Sequence, residues 1–454
     1  MTVLDPVIFR EYDIRGIVGE VLNEEIAEII GKAYGTLTKE KGVRRVSVGR
    51  DCRESSPALT NALIKGLNST GLDVLDIGLV TTPLVYFSLF NTDVDGGIMV
   101  TASHNPGEYN GFKLCIGKDS LFGEGIQRLR KVAESGNFAS GNGKVEKTDL
   151  LETYFSYLKD NIDIKPGLKV VIDGGNGTGG LTAPEILRRF GCEIIELYTE
   201  LDGTFPNHHP DPTVEKNLVD MIKTVKENGY DVGLALDGDA DRIGVVDEKG
   251  QIIWGDMLVL IYALDVLKNK KGATVIGDVK CSSNLFNGIA NAGGNPIMWK
   301  TGHSLIKSKI KTENAALAGE MSGHIFFNDK FFGYDDAVYA GLRLLEILSK
   351  TGKKVSELLS GIPKTFSTPE IRVDCPDEIK FKVTEIVKNK LSDGNKVVDI
   401  DGVRVEYPDG WGLLRASNTQ PALVLRFEAQ SEKRLLEIRE TVENTLEEAK
   451  RDAV

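Results

Sequence analysis

Asp237, Asp239 and Asp241 occupy alternate positions of the run DGDADR, directly after the apolar segment Val232-Gly233-Leu234-Ala235-Leu236. Three carboxylates where a buried strand ends form a seat for a hard divalent cation. In extended backbone, side chains two apart share one face, and Ala240 is small enough to allow close approach. Magnesium suits this set, because it takes few oxygen ligands and leaves room for a substrate phosphate. The next residue, Arg242, supplies a planar fork for a phosphate oxygen.

Other chemistries share parts of this pattern. An EF-hand loop also has acids at its first, third and fifth positions, and Glu248 even falls on its twelfth, but its sixth position needs Gly and here carries Arg242. A haloacid-dehalogenase-type aspartyl phosphotransferase places Asp-x-Asp after a buried strand with the first Asp as nucleophile, which makes Asp237 an alternative phosphate carrier. A plain acidic turn is the third reading, and it is opposed by the mutual repulsion of its carboxylates.

Ser103 is the second candidate. TASHNP, from Thr101 to Pro106, follows the apolar strand Gly96-Gly97-Ile98-Met99-Val100, so a hydroxyl on a proline-locked turn is offered as phosphoryl acceptor. Hydrolase chemistry lacks its GxSxG elbow, and adjacent Ser103 and His104 in an extended chain point apart. His104 is therefore expected to donate a hydrogen bond to a phosphate rather than to act as a base.

Three segments that must position these residues share one plan. Val46 to Asp51, a helix from Ser56 to Asn68 and Gly71 to Asp76 form the first strand-helix-strand unit. Val170 to Asp173, Leu181 to Phe190 and Gly191 to Glu196 form the second, and Thr274 to Asp278, Asn284 to Ala292 and Gly294 to Trp299 the third. Such spacing implies parallel crossovers and three similar α/β domains with mixed, largely parallel sheets. After about Phe366 the pattern changes. Leu423, Leu425 and Phe427 alternate with Val424, Arg426 and Glu428, which predicts antiparallel strands exposed on one face, closed by a charged helix from Glu432 to Lys450. The division expected is 1–151, 152–252, 253–366 and a smaller α+β domain, 367–454, packed as a lid.

Composition narrows the function classes. A chain of 454 residues exceeds one ordinary core, and 55 Lys plus Arg against 67 Asp plus Glu give a net charge of -12. That balance opposes nucleic-acid or anionic-membrane binding while leaving local basic pockets for small phosphates. Cys52, Cys115, Cys192, Cys281 and Cys375 are dispersed and form no CxxC pair, as expected for reduced packing residues in a cytoplasmic protein. The apolar run Ile252 to Leu267 is broken by Asp256 and Asp265, so neither a leader nor a membrane span is expected. The oligomeric state is not encoded in these patterns.

TASHNP, DGDADR, GEMSGH (Gly319 to His324) and RASNTQP (Arg415 to Pro421), in this order and one per expected domain, resemble the α-D-phosphohexomutases, specifically the phosphomannomutase/phosphoglucomutase group. YDIRG from Tyr12 and FPNHHPDP from Phe205 resemble it as well. The resemblance implies four domains arranged around a central cleft and a phosphoserine at Ser103 that donates its phosphate to a hexose phosphate. The resulting 1,6-bisphosphate turns around in the cleft and the serine takes back the other phosphate. It implies Mg²⁺ held by Ser103, Asp237, Asp239 and Asp241 beside Arg242, with glucose or mannose 1,6-bisphosphate as activator and sugar phosphates as the partners. Lys113 matches the family's active-site lysine, and a lysine among cations would have a lowered pKa. Arg15 suits charge stabilisation better than proton abstraction.

By the same resemblance, Glu320, Ser322 and His324 read the sugar hydroxyls, Lys280 and His303 lie near the sugar phosphate, and Arg415, Ser417, Asn418 and Thr419 hold the distal phosphate. An extended GEMSGH loop would offer Glu320 and Ser322 to one ligand, and RASNTQP is a donor cluster with no acid in it. Met321 and Asn418 resemble the mannose/glucose group rather than the glucosamine-specific relatives, which stay as an alternative. Ala102, Ala240 and Gln420 depart from frequent family residues. GNGTGG, Gly175 to Gly180, imitates a dinucleotide fingerprint, but Asp173 abuts the turn where pyrophosphate would sit, which makes it a tight structural turn. His208 and His209 are expected to be structural.

Overall fold

Val170, Val171 and Ile172 are apolar on both faces because their strand, Lys169–Asp173, runs between two parallel neighbours in the middle of a sheet. The same arrangement organises most of the chain. The computed structural model describes residues 4–418 and 421–453 and contains four sheets.

The first sheet comprises β1 (Ile14–Ile17), β2 (Arg45–Arg50), β3 (Asp73–Leu79), β4 (Gly96–Val100), β5 (Tyr109–Ile116), β6 (Asp119–Ser120) and β7 (Val145–Lys147), in the order β1-β5-β4-β2-β3-β7 with β6 on β5. The second runs β12-β11-β10-β8-β9, from β8 (Lys169–Asp173), β9 (Glu193–Leu197), β10 (Val232–Leu236), β11 (Ile243–Asp247) and β12 (Ile252–Ile253). The third runs β14-β13-β15-β16, from β13 (Thr274–Asp278), β14 (Asn295–Trp299), β15 (Leu317–Gly319) and β16 (Ile325–Phe327).

One four-strand motif therefore occurs three times. β5-β4-β2-β3, β11-β10-β8-β9 and β16-β15-β13-β14 each contain three parallel strands followed by one antiparallel partner. The crossover helices sit as expected, at Ser56–Ser69, Ala183–Arg189 and Ser283–Asn291, the second preceded by a short 3-10 turn. In each repeat the connection into the antiparallel strand carries a candidate site loop: Thr101 to Glu108, Asp237 to Arg242, and Glu320 to His324. A reversal between hydrogen-bonded strands holds its ends a few ångströms apart, which rigidly sets the direction of the residues at its tip.

The fourth sheet is antiparallel throughout: β17 (Phe366–Ser367), β18 (Ile371–Asp374), β19 (Lys396–Val398), β20 (Val403–Tyr407), β21 (Gly410–Ala416) and β22 (Ala422–Ala429). Helices Asp377–Leu391 and Glu432–Ala453 cover its apolar face. Contrary to the expectation from alternation, the other face is not solvated. All eight residues of β22 are buried, because Arg426 and Glu428 are turned toward the third unit. Arg426 donates to the Lys280 carbonyl and lies 3.4 Å from Asp256, and Glu428 accepts from Ser283 N at 3.1 Å.

A continuous apolar core runs through the first three units, from Leu84 and Phe87 through Tyr154 and Leu234 to Leu345. The fourth has its own core and meets the third through the small cluster of Val279, Trp411 and Leu413. Each fully buried Leu or Phe contributes about 1.5–3 kcal/mol, so the shared core binds three units together while the fourth is attached more by polar contacts. The expected cuts at 252/253 and 366/367 fall inside the two-residue strands β12 and β17, and 151/152 falls at the start of helix Leu151–Asn161. All five cysteines are free, four of them buried, and among the described residues no helix is long and apolar enough to cross a membrane.

Candidate active site

Ser103 Oγ donates to Asp237 Oδ2 across 2.8 Å, so the two strongest sequence candidates are one site. The serine has φ 50, a left-handed conformation uncommon outside Gly, and its own N–H donates to Thr101 Oγ1 at 2.9 Å. Because the backbone turns here, the expectation that Ser103 and His104 diverge does not hold. His104 Nδ1 lies 3.1 Å from Ser103 Oγ. Burial, with the nearby Arg242 charge, pushes His104 well below the usual histidine range, so its imidazole is neutral beside the hydroxyl.

The acidic residues converge by a turn and not by strand alternation. Asp237 Oδ1 accepts from the N–H groups of Asp241 and Arg242 at 3.0 and 3.1 Å, and Ala240, with φ 59, lets the chain reverse. All three carboxylates are 0% exposed, and one oxygen from each lies within 4.8 Å of the others. Asp239 Oδ1 and Asp241 Oδ1 are buried without a hydrogen-bond partner, a state that is costly unless a cation approaches. Burial, reinforced by Asp241 and Asp239, raises Asp237 to about 7. A buried, all-oxygen donor set with orphaned lone pairs fits a hard cation.

Lys113, on β5, reaches into this cluster, 2.6 Å from Asp239 Oδ2 and 2.5 Å from Asp241 Oδ2. Its neighbours are carboxylates and not cations, which reverses the expected shift: burial alone would lower its pKa, but Asp239, Asp241 and Asp237 outweigh it and raise it. Asp241 is affected in the opposite sense. Burial favours its protonation, yet Lys113 and His324 hold it below the usual range. Arg242 packs against Asp237 at 3.1 Å and against Asp211 of the NHHPDP segment at 3.3 Å. Arg15 donates to Asn105 Oδ1 and pairs with Asp13, both at 2.5 Å.

The third loop lies beside the second. His324 Nδ1 is 2.9 Å from Asp335 Oδ2 and 3.6 Å from Asp241 Oδ1, and its ring stacks on His303 with centroids 5.5 Å apart. GEMSGH is a turn and not an extended strand, since Gly323 N donates to the Glu320 carbonyl at 3.0 Å. Glu320 therefore faces Ser322 Oγ at 3.5 Å and accepts from Gly302 N, just before His303. Lys280 Nζ is 3.1 Å from Glu370 Oε2, which crosses from the fourth unit. RASNTQP itself holds no acid, but Arg415 Nε meets Asp401 from outside it at 3.0 Å. Asn418 Nδ2 donates to Tyr12 OH at 2.8 Å, the Ser417 carbonyl accepts from Lys380 at 2.5 Å, and Thr419 lies outside the described residues. A cavity of about 740 Å³ opens beside these groups, lined among others by His104, Arg242, Lys280, Met321, Ser322 and Glu370.

Several contributors were not singled out from sequence. Thr82 donates to Asp239 Oδ2 at 2.5 Å, and Tyr12 OH donates to the Thr301 carbonyl at 2.9 Å, tying the first unit to the third. Arg53 grips the Ser103 loop. Its signal was present as Asp51-Cys52-Arg53, which repeats the pattern of Asp278-Val279-Lys280. GNGTGG is the tight turn expected, and it also supports the acidic loop: Thr178 N donates to the Gly238 carbonyl at 3.0 Å. His208 pairs with Asp173 at 3.1 Å and holds the NHHPDP segment in place, a structural role as expected.

Comparison with known proteins matches four family models in chain order. They are phosphoglucomutase/phosphomannomutase alpha/beta/alpha domain I at residues 6–137, domain II at 152–250, domain III at 254–366 and the C-terminal domain at 370–445. A "Phosphomannomutase/phosphoglucomutase" of Pseudomonas syringae pv. tomato is 49% identical over 434 residues, covering 95% of this chain and 93% of that protein. One of Pseudomonas aeruginosa is 48% identical over 441 residues, covering 97% and 95%. The crystal structure of a phosphoglucomutase/phosphomannomutase family protein from Burkholderia thailandensis superposes with a TM-score of 0.94 at 43% identity, covering 100% of this chain and 99% of that one. The repeated architecture, the converging loops and these likenesses along nearly the full length show that the chain belongs to the phosphoglucomutase/phosphomannomutase family.

Proposed function

We propose that the protein is a phosphohexomutase, an isomerase that interconverts the 1-phosphate and 6-phosphate of mannose or glucose through a phosphate carried on Ser103. The observation that carries this reading is the 2.8 Å contact between Ser103 Oγ and Asp237, which sets a hydroxyl against a cluster of buried carboxylates. Asp237, Asp239 and Asp241, with an oxygen of the Ser103 phosphate, would hold Mg²⁺. Bound there, the ion supplies charge neutralisation and withdraws electrons from the phosphoryl group.

The chain's own residues do the remainder. Asp237 orients the Ser103 oxygen, and the neutral His104 ring beside it offers a hydrogen bond to a phosphate oxygen. Arg242, fixed by Asp237 and Asp211, presents its unpartnered Nη2 to negative charge. Lys113, which spans Asp239 and Asp241, would take up the proton of the acceptor hydroxyl only as the free amine and would return it as the ammonium. Glu320 and Ser322 would bind adjacent sugar hydroxyls, next to His324. Lys280 and His303 would lie along the sugar phosphate, and Arg415, Ser417, Asn418 and Thr419 would hold the phosphate that is not reacting. Phosphoryl transfer depends on alignment and charge, so a pocket accepting either end of a 1,6-bisphosphate lets one serine serve both positions.

The test mixes the protein with Mg²⁺, a trace of glucose 1,6-bisphosphate and either mannose 1-phosphate, glucose 1-phosphate or glucosamine 1-phosphate, and counts 6-phosphate formed. Acid-stable phosphate on Ser103, found by peptide mapping, is expected. Inorganic phosphate release with an acid-labile acyl phosphate on Asp237 would instead establish a phosphatase, and preference for the amino sugar would move the chain to glucosamine chemistry.

A further inference from the structure

We propose that Arg53 is a positioning residue for phosphoryl transfer, a guanidinium around which the Ser103 loop is wrapped so that its reactive groups face the cleft. The inference rests on Ser103 being the phosphate carrier.

Arg53 is 1% exposed and every N–H it has is spent within the protein. Nη2 donates to the carbonyls of Ser103 and Asn105 at 2.8 and 2.6 Å, Nη1 to those of Pro106 and Tyr109 at 2.5 and 3.1 Å, and Nε to Asp51 Oδ2 at 3.1 Å. Five donors and five acceptors leave nothing to bind substrate, so the residue acts through the loop. A trans peptide carries its C=O and N–H on opposite sides. Turning the Ser103 carbonyl inward to Arg53 therefore directs the His104 N–H outward. The same grip stabilises the left-handed backbone at Ser103, a conformation that costs on the order of 1 kcal/mol and persists only where its surroundings enforce it.

The guanidinium is itself held in place. Asp51 Oδ1 accepts from Arg53 N at 3.0 Å and from Ser56 Oγ at 2.5 Å, and the Phe205 ring lies 5.0 Å from the guanidinium carbon. Gly203 packs so closely on Arg53 Cα that a side chain there would collide with it. The repeat adds a second line of support. Asp51 follows β2 and Asp278 ends β13, the equivalent strands of their sheets, and two residues on each comes a cation, Arg53 or Lys280. Lys280 reaches the cleft, whereas Arg53 turns into the Ser103 loop of its own unit. Lysine could not replace it, because one ammonium cannot span four carbonyls arranged around a planar fork.

The experiment compares full-length wild type with Arg53→Lys and Arg53→Ala by circular dichroism, by mutase kinetics, and by the initial rate at which glucose 1,6-bisphosphate phosphorylates Ser103. The expected result is a folded Arg53→Lys protein whose kcat falls roughly 100-fold, with KM changed less than about threefold and Ser103 phosphorylation slowed in step with kcat. Retained kcat, a raised KM at constant kcat, or a loss matched by the unfolded fraction would overturn the proposal. Failure of both variants to fold would do so as well, by making Arg53 a pillar of the whole unit. A wild-type protein that never carries phosphate on Ser103 sinks the mutase reading instead, whatever Arg53 does.

Discussion

Lys113 Nζ lies 2.5 Å from Asp241 Oδ2, joining a strand of the first sheet to the acidic turn of the second across 128 residues of sequence. The ammonium holds one oxygen of Asp239 and one of Asp241 and leaves the other oxygen of each unpartnered, so a divalent cation bound at this turn would share its carboxylates with Lys113. Lys113 thus neutralises part of the turn's charge, and that pairing has measurable consequences.

Replacing Lys113 by Met should destabilise the metal-free protein by about 3–5 kcal/mol, since it leaves buried carboxylates without their partner. Added Mg²⁺ should raise the melting temperature of the variant more than that of wild type. Thermal melts with chelator and with Mg²⁺ check this, and equal metal effects in both proteins would count against shared carboxylates.

Ser103→Ala should lower kcat by at least roughly a thousandfold while costing only about 1 kcal/mol of stability, the loss of one hydrogen bond to Asp237. Steady-state assays beside a denaturant titration separate the two quantities. Undiminished turnover would remove the serine from the chemistry.

Glu370 neutralises Lys280 across 3.1 Å, and it is Lys280 first, against the opposing effect of burial, that holds Glu370 down to about 2. Glu370→Gln should free the ammonium for a sugar phosphate and lower KM for the hexose 1-phosphate by about three- to tenfold. The effect should shrink in high salt, and a KM insensitive to the substitution would show that the phosphate does not displace this carboxylate.

Asp336 caps the helix Ala337–Thr351, accepting from Tyr339 N and Tyr154 OH at 2.9 and 2.8 Å, and burial raises its pKa to about 7. A free carboxyl in an unfolded chain titrates near about 3.9, so between those values the native chain holds this proton more tightly. Its stabilising contribution is complete below the unfolded value and is lost as pH rises through about 7. Asp336→Asn keeps the acceptor oxygen without the charge. The melting temperature of the variant, measured relative to wild type, should therefore rise on going from about pH 5 to about pH 8.

Much of the scaffold was legible because apolar runs record the period of the strands and helices they form. Val170 to Ile172 and Thr274 to Asp278 fall in strands at the expected positions, and TASHNP, DGDADR and GEMSGH lie at strand ends because a reversal is where polar groups can be presented. What covers a polar face is not recorded locally. Arg426 and Glu428 have the spacing of a solvated strand face, yet they are buried against the third unit through Lys280, Asp256 and Ser283.

By itself, the sequence determined the repeated strand-helix-strand units, the order of the four loops and the residues that carry charge on each. Tertiary structure alone decided which charges meet. Ser103 reaches Asp237 across 134 residues, and Lys113 sits among carboxylates and not among cations. The direction of a titration and the facing of a carbonyl depend on neighbours brought in by folding, and residue spacing holds no record of them.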